Sequence, residues 1–133
     1  MTDTRLNIIR YRMERAEESL CAAELLGDAG HWNDFVNRLY YACFYAVSAL
    51  LLTHGHSSSK HSGIRSLFMR HCIKTGLIPA ELGKTYTRLF DCRQTSDYED
   101  LFEAREEEVK PWLEEAKNLI EEIERQLPRK AQP

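Results

Sequence analysis

NDFVNRLYYACFYAVSALLLTHG, residues 33–55, is the stretch that decides the fold. Phe35, Leu39, Ala42, Cys43, Ala46, Ala49 and Leu50 recur at helical spacing and mark one apolar face. Val36, Tyr40, Val47 and Leu51 mark a second. A helix that is apolar on most sides is normally enclosed by other elements. The uncharged run from Leu39 to Thr53 is short and interrupted beside the roughly 20 apolar residues that a bilayer requires. The expectation is therefore the central helix of a bundle, with no membrane. One narrow stripe is polar: Arg38, Tyr41, Tyr45 and Ser48, at i, i+3, i+7 and i+10. A guanidinium and two phenols on such a helix need partners, because burying them unpaired is costly. That stripe is the first pointer to a site.

Outward from this helix the chain reads as more helices. Leu6, Ile9, Met13, Ala16, Leu20 and Ala23 form the stripe of a helix from about Thr4 to Leu26, with Gly27 at its C-terminal end. The short link from Asp28 to Trp32 predicts an antiparallel neighbour. After the loop HGHSSS, Ser58 or Ser59 is placed to cap a third helix that carries Ile64, Leu67, Phe68 and Ile73 to about Lys74. Pro79 suits the first turn of a fourth, with Leu82, Tyr86, Leu89 and Phe90 inward and Arg93 one turn beyond. SDYEDL then breaks the pattern. The last helix carries Val109, Trp112, Leu113, Ala116, Leu119, Ile120, Ile123 and Leu127. Pro111 makes it start near Lys110 or bend there. No segment alternates with period two. The fold class is all-α: an up-and-down bundle of four to five helices over residues 1–127, with 128–133 as a tail.

Composition narrows the function classes. The formal charge is −3, so no global field draws the chain onto nucleic acid. The charge is uneven: residues 1–75 carry net +2 and residues 76–133 net −5. Cys21, Cys43, Cys72 and Cys92 form no CxxC pair and read as reduced, mostly buried thiols, which suits the cytoplasm. There is no phosphate loop, dinucleotide fingerprint, HExxH or nucleophile elbow. His54, His56 and His61 lie close in sequence, but nothing fixes a fourth ligand, so neither a metal nor another cofactor is expected. Arg65 and His71 are six positions apart in one helix and do not share a face. Arg93 to Tyr98 (RQTSDY) can act in two ways. Arg93 can pair with Asp97 to close the helix end, or bind a phosphate bidentately while Tyr98 stacks on a base.

NRLYYACFYAVSALL (37–51), KHSGIRSLFMRHCIKTGLIP (60–79) and RLFDCRQTSDYEDL (88–101) together resemble the HEPN domain superfamily, most closely its small stand-alone bacterial and archaeal branch. The resemblance covers about Thr4 to Leu127. It implies a helical bundle that often forms homodimers and commonly pairs with a minimal nucleotidyltransferase as toxin and antitoxin. Many such proteins are metal-independent ribonucleases whose motif is an Arg, four to six residues, then His. Here Arg93 matches the Arg, and Tyr98, or Asp97 with a one-residue offset, stands where the His is expected. Tyrosine is a poor general base near neutrality, its unperturbed pKa being about 10. This points to a degenerate ribonuclease motif that retains a binding cleft. Arg38 and Arg93 would hold phosphate, Tyr45 and Tyr98 would supply ring faces, and His61 and Asp97 would make hydrogen bonds. The favoured reading is a nucleotide- or RNA-binding partner of a small nucleotidyltransferase. Its alternatives are a non-enzymatic interaction module and a weak metal-independent ribonuclease using Arg93 with Tyr98 or His61.

Overall fold

The protein is described here from a computed structural model covering residues 1–98 and 102–131; for residues 96–98 the description is of the backbone alone. Six α-helices follow in order among the described residues: α1 (Asp3–Asp28), α2 (Trp32–Thr53), α3 (His61–Phe68), α4 (Ala80–Tyr98), α5 (Glu106–Val109) and α6 (Trp112–Arg125). There is no strand among the described residues. Five of these helices run eight residues or more, and α5 is a single turn.

The centre is α2, which packs against α1, α3, α4 and α6. From Ala46 to Leu51 every residue is buried, which a helix reaches only when neighbours stand on all sides. By length and composition α2 would also reach across a membrane, a reach that the uncharged run alone understates. Its apolar surface is instead taken up by Ile9, Met13 and Ala16 of α1, Tyr86 and Leu89 of α4 and Leu119 and Ile123 of α6, all in one core. The sector of α2 that stays half-exposed carries Arg38, Tyr41 and Tyr45, three of the four residues of the polar stripe. Ser48, the fourth, is buried.

The helix ends show where local chemistry decides. Thr2 caps α1, its hydroxyl accepting from the Arg5 N–H at 3.2 Å. Gly27 lies inside α1, one residue before its end. A Cβ there would come within 2.9 Å of the Phe35 ring, so its role is close packing of α1 on α2. The left-handed turn falls at Gly30 (φ 79°). α2 ends with the Gly55 and His56 N–H groups returning to the carbonyls of Leu52 and Leu51. The Arg5 guanidinium donates to the same Leu52 carbonyl, through Nε at 2.7 Å, placing a cation at the negative end of the helix.

Neither Ser58 nor Ser59 caps α3. Lys60 takes the extended N-cap position, and the Ser58 hydroxyl accepts from the Lys60 N–H at 3.2 Å. Nor does α3 run regularly to Lys74: Met69–Ile73 is a π-helical turn, with the Lys74 N–H bonded to the Met69 carbonyl. α4 continues through Ser96 to Tyr98, where a break in the pattern was expected. At Pro111 the last helix does begin earlier and break, as α5 and then α6 with Pro111 at its N-cap. Residues 129–131 form a 3₁₀ turn against α1, with Ala131 buried and Arg10 donating to the Lys130 carbonyl. Cys43 and Cys72 are buried, and burial pushes their thiols up to about 12 and about 11. Cys92 is half-buried and likewise raised to about 11, by burial and then by Glu108. Cys21 is exposed.

A clip that the periodicity did not reveal joins the start of α2 to the segment before α5. The Asn33 side chain donates to the Phe102 carbonyl at 3.1 Å and accepts from the Ala104 N–H at 2.7 Å. Asn33→Ala removes both bonds and is expected to cost about 1–2 kcal/mol in thermal or urea unfolding. Asn33→Asp keeps the acceptor and should recover part of that loss.

Candidate functional site

The half-exposed sector of α2 meets α4 on one side and the start of α3 on the other. Tyr41 stands at its middle between two guanidiniums. Arg38, one turn earlier on α2, lies 4.8 Å from the Tyr41 ring centroid, with Nε and Nη2 bonded to Asn37 Oδ1 at 3.2 and 2.9 Å. Arg93 arrives from α4, 5.6 Å from the Tyr41 centroid and 5.2 Å from that of Tyr40, and its Nη2 donates to the Tyr41 hydroxyl at 3.4 Å. Two cations share one ring face system, an arrangement that the negative face of a phenol tolerates.

His61, the first residue of α3, closes the other side. Its Nδ1 is hydrogen-bonded to the Tyr40 hydroxyl at 2.6 Å. Its ring stacks on Phe44 with centroids 4.3 Å apart and planes 14° from parallel. Tyr40 itself is fully buried, stacked on Tyr86 and edge-on to Phe90. One end of the histidine is thus tied to the core while its residue stays half-exposed. Chemically, this sector offers two planar, permanently charged forks of the kind that match phosphate oxygens, aromatic rings, and one anchored imidazole.

The expected site residues separate as follows. Arg38, Arg93 and His61 converge around Tyr40 and Tyr41. Tyr45 lies one turn along, its ring 6.2 Å from that of Tyr41, and its cation is Arg15 of α1 at 5.5 Å. Asp97 and Tyr98 are helical in backbone, and their side chains lie outside the described residues. The three histidines of the second loop do not gather. His56 stacks on His71 at 3.9 Å, while His61 turns to Tyr40. Among the described residues no three of His, Cys, Asp and Glu come together as a metal would require. Arg65 and His71 also part: Arg65 lies over Phe90 at 4.8 Å and 3.6 Å from Asp91. Tyr40 is the site residue missed, because its aromatic body reads as core; Tyr41 already stood in the polar stripe of α2.

The His56–His71 stack has a pH signature. Burial, then His56, then Arg70 hold the His71 imidazole below its ordinary value. The folded state therefore binds fewer protons there than the unfolded chain. Its contribution is complete above the ordinary histidine pKa of about 6.5 and is lost as pH falls below that value and through the lower folded one. The melting temperature should fall from pH 8 toward pH 5, and His71→Gln should flatten that fall.

The chain matches the HEPN domain over residues 9–126. It is 48% identical over 118 residues to a "UPF0332 protein" of Thermotoga maritima, spanning 89% of each chain. It is 35% identical over 115 residues to "Putative toxin MJ0142" of Methanocaldococcus jannaschii, covering 86% of this chain and 78% of that one. With "Putative toxin MJ0605" of the same organism it shares 33% over 119 residues, 90% of this chain and 88% of the other. On fold and on sequence alike, the chain belongs to the HEPN domain family.

Proposed function

We propose that this protein is a toxin-like HEPN protein whose Arg38–Tyr41–Arg93 cleft holds the phosphate of a nucleotide or an RNA end. The observation that carries the reading is the pair of guanidiniums on the Tyr41 ring, set on the one half-exposed sector of an otherwise enclosed helix. Placing two cations there serves no packing need that an apolar side chain would not meet better. Guanidinium N–H groups donate bidentately to phosphate oxygens, and a base can stack beside them. The toxin character rests on the names of the two Methanocaldococcus relatives. The cognate partner under this reading is a small nucleotidyltransferase that restrains the toxin, as the resemblance implies.

The test is a thermal-shift series with ATP, AMP and short RNAs. A ligand at about 100 times its Kd stabilises by about 2.7 kcal/mol, a rise on the order of 10 °C for a domain of this size. No rise with any of these ligands, in a protein that melts cooperatively, contradicts the reading. For the partner, co-expression with the nucleotidyltransferase should give one co-eluting species; separate elution at micromolar concentration argues against the pairing.

A further inference from the structure

The cleft does not end at Arg93. Along the same side of α2, successive turns each receive a guanidinium. Arg38 and Arg93 meet the Tyr41 ring, and Arg15 lies 5.5 Å from the Tyr45 ring. Arg12 donates through Nη1 to the Ser48 carbonyl at 3.1 Å, and Arg5 donates through Nε to the Leu52 carbonyl at 2.7 Å. Residues 41, 45, 48 and 52 are one turn apart, so the four rungs repeat at about 5.4 Å and span about 16 Å.

The charge on α1 is sorted to match. Arg5, Arg12 and Arg15 fall at i, i+7 and i+10 on the flank that faces this side of α2. Glu24 sits on the other flank, 3.0 Å from Lys117 of α6. Glu17 also faces α6, where burial first and then Glu124 and Glu121 push its carboxyl above the usual range. On the basic flank of α1, Glu18 pairs with Arg15 at 2.9 Å.

Rings accompany the cations on the first two rungs. Tyr41 and Tyr45 are half-exposed, Tyr11 is 59% exposed one turn from Arg15, and Ile8 is 40% exposed beside it. A guanidinium has five N–H donors, and the bonds to α2 use two of those on Arg5 and one on Arg12.

We propose that this ladder is a track for a single-stranded polynucleotide of about four nucleotides, leading to the Arg38–Arg93 cleft. The proposal rests on the phosphate-binding reading of that cleft and names its ligand as a strand rather than a mononucleotide. A single strand presents phosphates and unstacked bases together, and a row of cations flanked by exposed aromatic side chains answers both. A duplex hides its bases, and an acidic peptide has none to stack.

The experiment measures binding of 5′-fluorescein oligo(U) of two to eight nucleotides by anisotropy, with UMP as competitor, at about 50 and about 200 mM salt. Affinity should rise up to about four nucleotides and then level off. With about four phosphates neutralised the log–log salt slope is about −2.8, a roughly fifty-fold loss across that range. Arg12→Gln and Arg15→Gln should each reduce the slope by about 0.7 for the tetramer, and by less for UMP with its one phosphate. Arg12→Lys, which keeps the charge, should retain the slope and controls for lost helix packing. A tetramer that binds no tighter than UMP, or a slope unmoved by either Gln variant, overturns the track while the cleft stands. A hairpin duplex that binds as tightly as oligo(U) also overturns it. If neither UMP nor oligo(U) binds, the reading of the cleft falls and the track with it.

Discussion

Tyr40→Ala is expected to lower stability by about 3–5 kcal/mol and the melting temperature by roughly 10–20 °C. Tyr40 is fully buried at the point where α2, α3 and α4 meet. Its ring stacks on Phe44, Tyr86 and His61 and lies edge-on to Phe90 and Tyr41. Truncation opens a cavity among side chains drawn from three helices, which cannot all relax into it. It also takes away the Arg93 cation–π contact and the hydroxyl that anchors His61. Tyr40→Phe separates these effects. It keeps the ring and removes the 2.6 Å bond to His61 Nδ1, for a cost of about 1 kcal/mol, because water can reach the half-exposed histidine. Urea unfolding of the two variants measures both. A Tyr40→Ala protein that melts within a few degrees of the parent would place this ring outside the core.

The second large effect is on binding. Arg93→Ala should weaken nucleotide or RNA binding roughly ten- to a hundred-fold, the equivalent of losing a charge-assisted hydrogen-bond pair of about 1.5–3 kcal/mol. Arg93→Lys should fall between, since an ammonium supplies charge without the planar fork. The accompanying loss of stability should be smaller than that of Tyr40→Ala. Arg93 is half-exposed, and its contacts with the core include stacking on two rings and a long bond to the Tyr41 hydroxyl. Tyr41→Phe removes that hydroxyl and keeps the ring, so its binding should stay close to that of the parent. Calorimetric titration set beside thermal unfolding separates the two readouts. A variant whose binding falls only in step with its folded fraction would make Arg93 a structural residue.

The central place of α2 was legible because apolar residues cover every side of it except one. That exception, Arg38 with Tyr41 and Tyr45, was legible for the same reason. Their partners were not. Arg93 lies 52 residues beyond Tyr41, and Arg12 lies 36 residues before Ser48. Helical periodicity reports which face a residue occupies and carries nothing about which distant cation will meet it. Tyr40 was read as core on the strength of its ring, and it is core; the hydroxyl on that ring is what ties His61 into the site. The π turn at Met69–Ile73 left no mark in MRHCI, which contains neither Gly nor Pro. The α3 cap shows the limit of residue preference. Two serines stood ready, yet the extended backbone of Lys60 made the turn, and the Ser58 hydroxyl served the Lys60 N–H. At the other end of the family motif, Asp97 and Tyr98 were expected to join Arg93. The helix does carry them onward from it, since α4 runs to Tyr98.

The claim on which the rest depends is that Arg38 and Arg93, on either side of Tyr41, receive a phosphate. The most direct measurement is a titration of ¹⁵N-labelled protein with AMP and then a tetranucleotide, following the Nε–Hε signals of the arginines. Arg38 and Arg93 are predicted to shift with AMP, and Arg15 and Arg12 to join them with the tetranucleotide. Arg88 and Arg125, held by Glu115 and Glu122, are predicted to stay in place. Unmoved Arg38 and Arg93 signals at saturating ligand, or shifts centred on Arg88 and Arg125, would contradict the account.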